Sequence, residues 1–492
     1  MNGLGARSVL SEDMDGDGDS DVVFVAQLNG TLAWYENLGE GNFSVLKPIS
    51  DTSSMFSCLS SSDFDSDGDF DLVVASIEED YIAWYENLGN GNFSNQNIIS
   101  TTAENPSDIH CNDLDQDGDI DVVVSSFSDN KIAWYENEGD GLFSPENIIS
   151  TNASGAISVW TEDLNDDGDL DVISSSSNDD KLAWYENFGD GSFSTEMIIS
   201  DDIDNARFVF SSDFDSDGDM DVLSCSRNDS KVVWFKNLGD GSFSSEIIIS
   251  IDILDPHDVH VADLDNDGDN DFLITFTATG EIVWFENFGS GVFSTENVIT
   301  DSTFGLGRLD TKDMDLDGDL DILSASYSDG KIAWYENLGV DGCTDPTACN
   351  YNQSADNEDG SCCFGTCGCQ ESDAVNYDPN ADCHDSSCLY HLEGTVFDDQ
   401  DENGMKNENE NPIAGQEIFI QPLGWSTWSG QDGSYSFILG QGTYTAEVIT
   451  TENWPLNTTT NPVFLEAAPN LDNLHFGLTN DTISHHLETG VQ

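Results

Sequence analysis

Apolar and polar positions recur along the first two thirds of the chain with a period of 50 residues. In the third unit, Ser107-Asp108-Ile109-His110-Cys111 reads as a short strand, followed by an acidic loop from Asp113 to Asp121. The β-branched run Val122-Val123-Val124 with Ser125-Ser126 predicts a second strand, and Ser128-Asp129-Asn130 a turn. Lys131 to Glu136 gives a third strand, Gly139-Asp140-Gly141 another turn, and Phe143 to Ser150 a fourth strand. Four short strands joined by turn residues make one blade of a β-propeller. The coils of a β-helix would be shorter. Trp34, Trp84, Trp134, Trp184, Trp234, Trp284 and Trp334 hold one place in seven consecutive units without an insertion, and such a period marks propellers or arrays. The expected fold is all-β: a seven-bladed propeller over residues 1–339 with four-stranded blades.

Only six units carry the closing Phe-Ser-x-x-x-x-Ile-Ile-Ser type of strand. After Asn337-Leu338-Gly339 the chain turns instead into Val340-Asp341-Gly342-Cys343. The last blade is therefore expected to lack its closing strand, which in a closed propeller comes from the other terminus. No signal peptide precedes the first repeat. Together these features predict a chain truncated before Met1, with further blades upstream left open.

The pattern changes twice more. Eight of the 11 cysteines lie between Cys343 and Cys388, in two copies of one short module running from Cys343 to Cys362 and from Cys369 to Cys388. A disulfide-rich segment over 340–388 is expected, made in an oxidising compartment, with 105 pairings open. Irregular spacings, with only His384 and His391 nearby, make zinc the weaker reading. Strand-like runs such as Glu417-Ile418-Phe419-Ile420 and Gly433 to Leu439 then predict a small β-sandwich over 389–478, followed by a tail at 479–492.

Charge sharpens the picture. Asp and Glu number 97 against 12 Lys and Arg, a formal net charge of -85. Such a surface repels nucleic acid and anionic membranes. It also strains a compact fold unless cations neutralise it. No run is apolar and long enough to span a membrane as a helix.

Much of the acid is concentrated in one motif, Asp-x-Asp-x-Asp-Gly-Asp-x-Asp, which recurs every 50 residues. Alternate carboxylates converge when such a loop wraps an ion, the glycine permits the sharp turn, and calcium accepts six to eight oxygens in flexible geometry. Side-chain ligation is assigned to the first, third, fifth and ninth positions, with the seventh offering its backbone carbonyl. These are Asp13, Asp15, Asp17 and Asp21; Asp63, Asp65, Asp67 and Asp71; Asp113, Asp115, Asp117 and Asp121; and Asp163, Asn165, Asp167 and Asp171. The last three units supply Asp213, Asp215, Asp217 and Asp221; Asp263, Asp265, Asp267 and Asp271; and Asp313, Asp315, Asp317 and Asp321. Asn165 keeps an oxygen but drops a charge. A further loop, Asp399, Asp401, Asn403 and Glu410 around Gly404, fits the twelve-residue calcium loop. About seven Ca2+ in the propeller and one in the C-terminal domain are expected.

Through these loops and the hairpin after them, residues 1–339 resemble the FG-GAP/VCBS repeat family, similar to the propeller of integrin α chains. The resemblance implies calcium in the loops and a role in adhesion, carbohydrate binding or scaffolding, secreted or at the cell surface. The two cysteine modules resemble inserts of surface proteins of marine Bacteroidetes. The C-terminal strands around the Asp399 loop resemble Sdr-type B, prealbumin-like domains; Lys406 sits in that loop, so no internal isopeptide bond is expected.

Candidate ligand residues lie where the repeats differ. Three positions before each loop stand Leu10, Ser60, His110, Trp160, Phe210, His260 and Asp310, each preceded by an apolar residue. Of these, His110, Trp160, Phe210, His260 and Asp310 are the candidates for a ligand surface facing an extracellular glycan or protein. The Trp-Tyr and Trp-Phe pairs, identical in register, are assigned to blade packing. An enzyme would need His257, His260, Arg227, Arg308 or Lys312 to converge, as in a propeller-borne polysaccharide lyase or hydrolase. The sequence holds no nucleophile elbow or Cys-His pairing signal, and a non-catalytic role is expected.

Overall fold

Each 50-residue unit folds as an antiparallel meander. In the third, the strands are Pro106–Asn112, Asp121–Ser126, Lys131–Tyr135 and Asn147–Ser150, with Val123 opposite His110 on one side and Trp134 on the other. Six blades have four strands; the seventh has three, Leu306–Lys312, Asp321–Ser326 and Lys331–Tyr335. The second strand of every blade is buried along its whole length. Neighbouring blades cover both of its faces, which is why it reads as an apolar run rather than an alternation. The innermost strands pack side by side around a central channel.

This computed structural model describes residues 5–492 except 40, 52–53, 240, 252–254, 304, 340, 352–356, 359–360, 373, 385–386, 399–405, 407–409, 422–424, 441–442, 450–462, 467–471, 479–482 and 488–492. The chain divides into two units, Met1–Gly339 and Val340–Gln492.

Repeated contacts stitch the blades together. The tryptophan of one blade lies under the Gly-x-Gly turn of the next: a Cβ on Gly141, at φ +68°, would sit 2.3 Å from the Trp84 ring. Five of these rings are buried, Trp34 at 2% exposure, with Trp284 and Trp334 half-buried, so the aromatic pairs are core, as the register implied. The asparagine after each pair reaches the preceding blade. Asn87 donates to the Met14 carbonyl at 3.0 Å and Asn137 to that of Phe64 at 2.8 Å.

The same contacts close the ring. Asn37 donates to the Met314 carbonyl at 2.7 Å, Phe43 packs edge-on against Trp334, and Ser11 N–H donates to Asp310 at 2.7 Å. Gly307 sits so close to the first blade that a Cβ there would lie 2.3 Å from the Arg7 carbonyl oxygen. The first and seventh blades meet directly, so the ring closes with seven blades, as the seven repeats predict. The seventh blade does lack a fourth strand among the described residues. Its third strand is accordingly more exposed than its counterpart Lys131–Tyr135.

In the second unit all eight clustered cysteines pair: Cys343–Cys362, Cys349–Cys367, Cys363–Cys383 and Cys369–Cys388. The first and last bridges close the two module copies, which repeat in detail. Asn350 donates to the Ser361 carbonyl and Asn376 to that of Ser387, while Cys363 N–H and Leu389 N–H donate back to those two asparagines. Two four-stranded sheets follow. One includes a parallel pair, Tyr390–Asp398 with Asp472–Leu478; the other is antiparallel. Val396, Ile418, Ile420, Tyr435 and Phe476 are among their buried core.

Candidate functional site

The acidic loops share one backbone. The fourth position has positive φ in every unit, even where it is not glycine, as at Gln116 (60°) and Leu316 (62°). The sixth is glycine at φ between 91° and 107°. A leucine in the left-handed region persists only where surrounding bonds over-determine it. Those bonds come from the first carboxylate: Asp13 accepts from Gly16 N–H at 2.7 Å and Gly18 N–H at 2.9 Å. The fifth, Asp17, accepts from Asp19 N–H at 3.0 Å. The ninth, Asp21, is wholly buried; its two oxygens accept from Met14 N–H at 2.9 Å and Asn37 N–H at 2.8 Å, tying the loop to the hairpin behind it.

Wrapped this way, the loops gather carboxylates. One oxygen each from Asp13, Asp15 and Asp17 lie within 4.8 Å of one another, as do those of Asp63, Asp65 and Asp71 and of Asp113, Asp115 and Asp121. The fifth and sixth units repeat this with Asp213, Asp215 and Asp221 and with Asp263, Asp265 and Asp271. At the third position, Asp15, Asp65, Asp215 and Asp315 each hold a buried Oδ1 with no hydrogen-bond partner. Burial first, then the neighbouring aspartates, pushes the Asp15, Asp65 and Asp115 carboxyls up and that of Asp265 to about 6. Burial also drives Asp21, Asp71, Asp121, Asp171, Asp221 and Asp271 to about 7, against the N–H bonds that pull them down. Converging oxygen donors, an orphaned buried oxygen and crowded negative charge suit a hard cation.

The hairpin adds an acid that the loop motif alone does not show. Glu36, Glu86, Glu136 and Glu286 lie close enough to the third-position aspartates for the charges to be felt. Its signal was present as the glutamate of each Trp-Tyr-Glu-Asn or Trp-Phe-Glu-Asn run, but only the fold-back places it at the loop. The fifth unit has Lys236 there instead. Its ammonium pairs with Asp215 and, at 2.8 Å, with Asp217.

Of the C-terminal loop, Asp399, Asp401 and Asn403 lie outside the described residues, while Glu410 is buried at 8% exposure.

The varied positions converge. Leu10, Ser60, His110, Trp160, Phe210, His260 and Asp310 all line one cavity of about 270 Å³ in the channel, at its acidic-loop end. Four of them form an arc of rings, with centroids 4.1 Å apart for His110 and Trp160, 3.9 Å for Trp160 and Phe210, and 6.2 Å for Phe210 and His260. His110 Nδ1 bonds Thr161 Oγ1 at 2.8 Å and His260 Nε2 bonds Thr311 Oγ1 at 2.9 Å. Burial pushes His110 down to about 4 and lowers His260, so both rings are neutral near pH 7.

The catalytic alternative is brought together only in part. Arg308 joins His260 in the cavity wall, but its guanidinium is paired with Asp108 across the channel. Lys312 faces Glu12 at 3.6 Å, and Arg227 pairs with Asp255.

Comparison with known proteins places the repeats. The FG-GAP-like repeat model matches residues 63–124, 113–174, 163–224, 213–274 and 263–324, together more than half of the chain. No curated protein matches the sequence. Among solved structures, an Agrocybe aegerita protein whose structure concerns recognition of non-reducing terminal N-acetylglucosamine is 20% identical, with 61% of this chain and 81% of that one covered and a TM-score of 0.47. A catalytically inactive virginiamycin B lyase from Staphylococcus aureus with quinupristin is 14% identical over 69% and 98%, TM-score 0.48. BBS1N in complex with ARL6DN is 14% identical over 69% and 95%, TM-score 0.49. At these values none of the three carries a ligand or an activity to this chain. The family match, the seven blades and the seven acidic loops together make this chain a member of the FG-GAP-like repeat family.

Proposed function

We propose that the protein is a calcium-loaded propeller that works outside the cell as a non-catalytic adhesion or ligand-binding module, taking a glycan or protein at the loop-side mouth of its channel. Calcium would be held by the first, third, fifth and ninth loop residues, joined by the hairpin glutamate. The ion would neutralise the loops and stiffen the blades behind them. In the fifth blade Lys236 already supplies a cation to Asp215 and Asp217, so six propeller sites are expected to fill readily and the fifth weakly. The four disulfides fit an oxidising compartment.

One observation carries the ligand reading: the inner-strand position that varies most between units gathers from all seven blades around a single cavity, with aromatic rings along one arc. Aromatic faces bury large apolar area at low entropic cost, as sugar and peptide sites require. That His110 and His260 each bond a threonine supports a binding wall rather than an acid–base pair.

A glycan array probed with calcium-saturated protein tests this. The hit should bind wild type and fall about 30-fold or more with Trp160→Ala or Phe210→Ala, the ordinary scale for a buried aromatic anchor. Binding left intact by both substitutions would remove the channel mouth from the account.

A further inference from the structure

The chain has four arginines among 492 residues, and all of them gather around His257, near the ends of the inner strands remote from the acidic loops. Arg308 crosses the lumen from the seventh blade to pair with Asp108 of the third, its guanidinium 4.9 Å above the Phe208 ring. Phe208 in turn packs against His257, with centroids 5.6 Å apart. Arg207 is the neighbour of Phe208. Arg227 donates to Asp255, two residues before His257, at 3.1 Å. Arg7 lies against Gly307, which precedes Arg308.

The inner strands bulge here, between Ala6 and Ser8, between Ala206 and Val209 and between Pro256 and Val259. Bulges re-aim side chains. The bulged position around the ring reads Arg7, Ser57, Ser107, Ile157, Arg207, His257 and Gly307, with no acid in a protein of net charge -85. Ser57 and Ser107 donate to carbonyls of the next blade, at 2.7 Å each. The nearby carboxylates are engaged: Asp108 holds Arg308 and also accepts from Ser158, Asp258 accepts from Leu309 N–H, and Asp255 holds Arg227. Among the described residues Arg7 and Arg207 have no carboxylate partner. Arg207 Nε and His257 Nδ1 are buried without a hydrogen bond.

Two unpaired guanidinium groups sharing a partly buried channel repel each other and forfeit hydration, an arrangement that an anion between them relieves. Fixed guanidinium forks suit the oxygens of a carboxylate, sulfate or phosphate. We propose that the channel end remote from the acidic loops is an oxyanion site, with Arg7, Arg207 and His257 as the groups that hold the anion and Arg308 pinned above them by Asp108. The site adjoins the aromatic cavity, whose wall Asp108, Phe208 and Arg308 also line.

Calorimetric titration of the calcium-saturated protein with sodium sulfate, and separately with sodium glucuronate, at fixed chloride-balanced ionic strength tests it. One anion bound per chain is expected, weakened about tenfold or more in Arg207→Gln and in Arg7→Gln, the scale of a lost charge-assisted bond. Both variants should melt no lower than wild type in chloride alone, because each removes an unpaired charge; a merely structural arginine would lower the melting point. Binding of sulfate alone assigns the site to a free ion, and binding of glucuronate extends it to a saccharide carboxylate. No binding of either anion by wild type, or binding unchanged in both variants, overturns the proposal.

Discussion

The rim and the channel of this propeller are cut from the same 50-residue unit, yet they obey opposite rules. At the rim, every unit repeats its acidic loop and its asparagine bond to the preceding blade, and the six units with a Gly-x-Gly turn repeat its contact with a tryptophan. In the channel, no two adjacent units present the same residue at the cavity position, and the arginines fall on four separate strands or turns. Where each blade must meet an identical neighbour, geometry forces identical residues. Where the blades face a lumen, that constraint lifts and chemistry can accumulate. Ligand chemistry should therefore be sought in the channel and stability at the rim.

The largest test of that contrast sets two tryptophans against each other. Trp134→Ala empties a buried blade core and is expected to cost about 3–5 kcal/mol. Trp160→Ala, on the cavity wall, should cost under about 2 kcal/mol and act on binding instead. Chemical denaturation of both variants measures this, and equal losses would break the distinction.

The second test is pH. The buried ninth-position carboxyls of six loops are pushed up to about 7, far above the ordinary carboxylate range near 4. The metal-free folded chain therefore binds more protons than the unfolded one between about pH 4 and 7, and it gains stability as pH falls through that window. Calcium requires the ionised form, so acid opposes it. Melting curves of metal-stripped and calcium-saturated protein should be well separated at pH 7.5 and converge toward pH 5; a gap constant with pH would contradict this.

A smaller effect is expected at the exception within the rim. Lys236→Glu restores the glutamate that six units carry, and native mass spectrometry should then count one more tightly held calcium. An unchanged count would show that Lys236 does not displace the ion.

How much of this was legible follows the same division. The 50-residue period, the turn residues and the apolar second strands specified the blades, and the loop motif specified the acidic clusters, because both are local and repeated seven times. Seven blades were legible as seven repeats, but the contacts that close the ring were not. They include Asn37 with Met314 and Gly307 with Arg7, which join units 300 residues apart. Glu36 and Lys236 were overlooked as loop partners because a hairpin must fold back to bring them there. The arginines at 7, 207, 227 and 308 look unrelated until the ring sets them around His257. Cysteine spacing bounded the two modules but could not choose the bridges that tie each copy to the short segment between them, Cys349–Cys367 and Cys363–Cys383.

The most direct test of the account is the thermal melting of the metal-stripped full chain at pH 7.5 across a series of calcium concentrations. Each site that binds only the folded chain adds about 2.7 kcal/mol at calcium a hundredfold above its Kd, and extracellular sites commonly have Kd on the order of 10⁻⁴–10⁻³ M. The account predicts that the melting point climbs by more than about 10 °C into the millimolar range, with about six ions bound per propeller and no comparable response to magnesium. A melting point indifferent to calcium would make the loops solvated turns, and the reading of a calcium-built rim would fail.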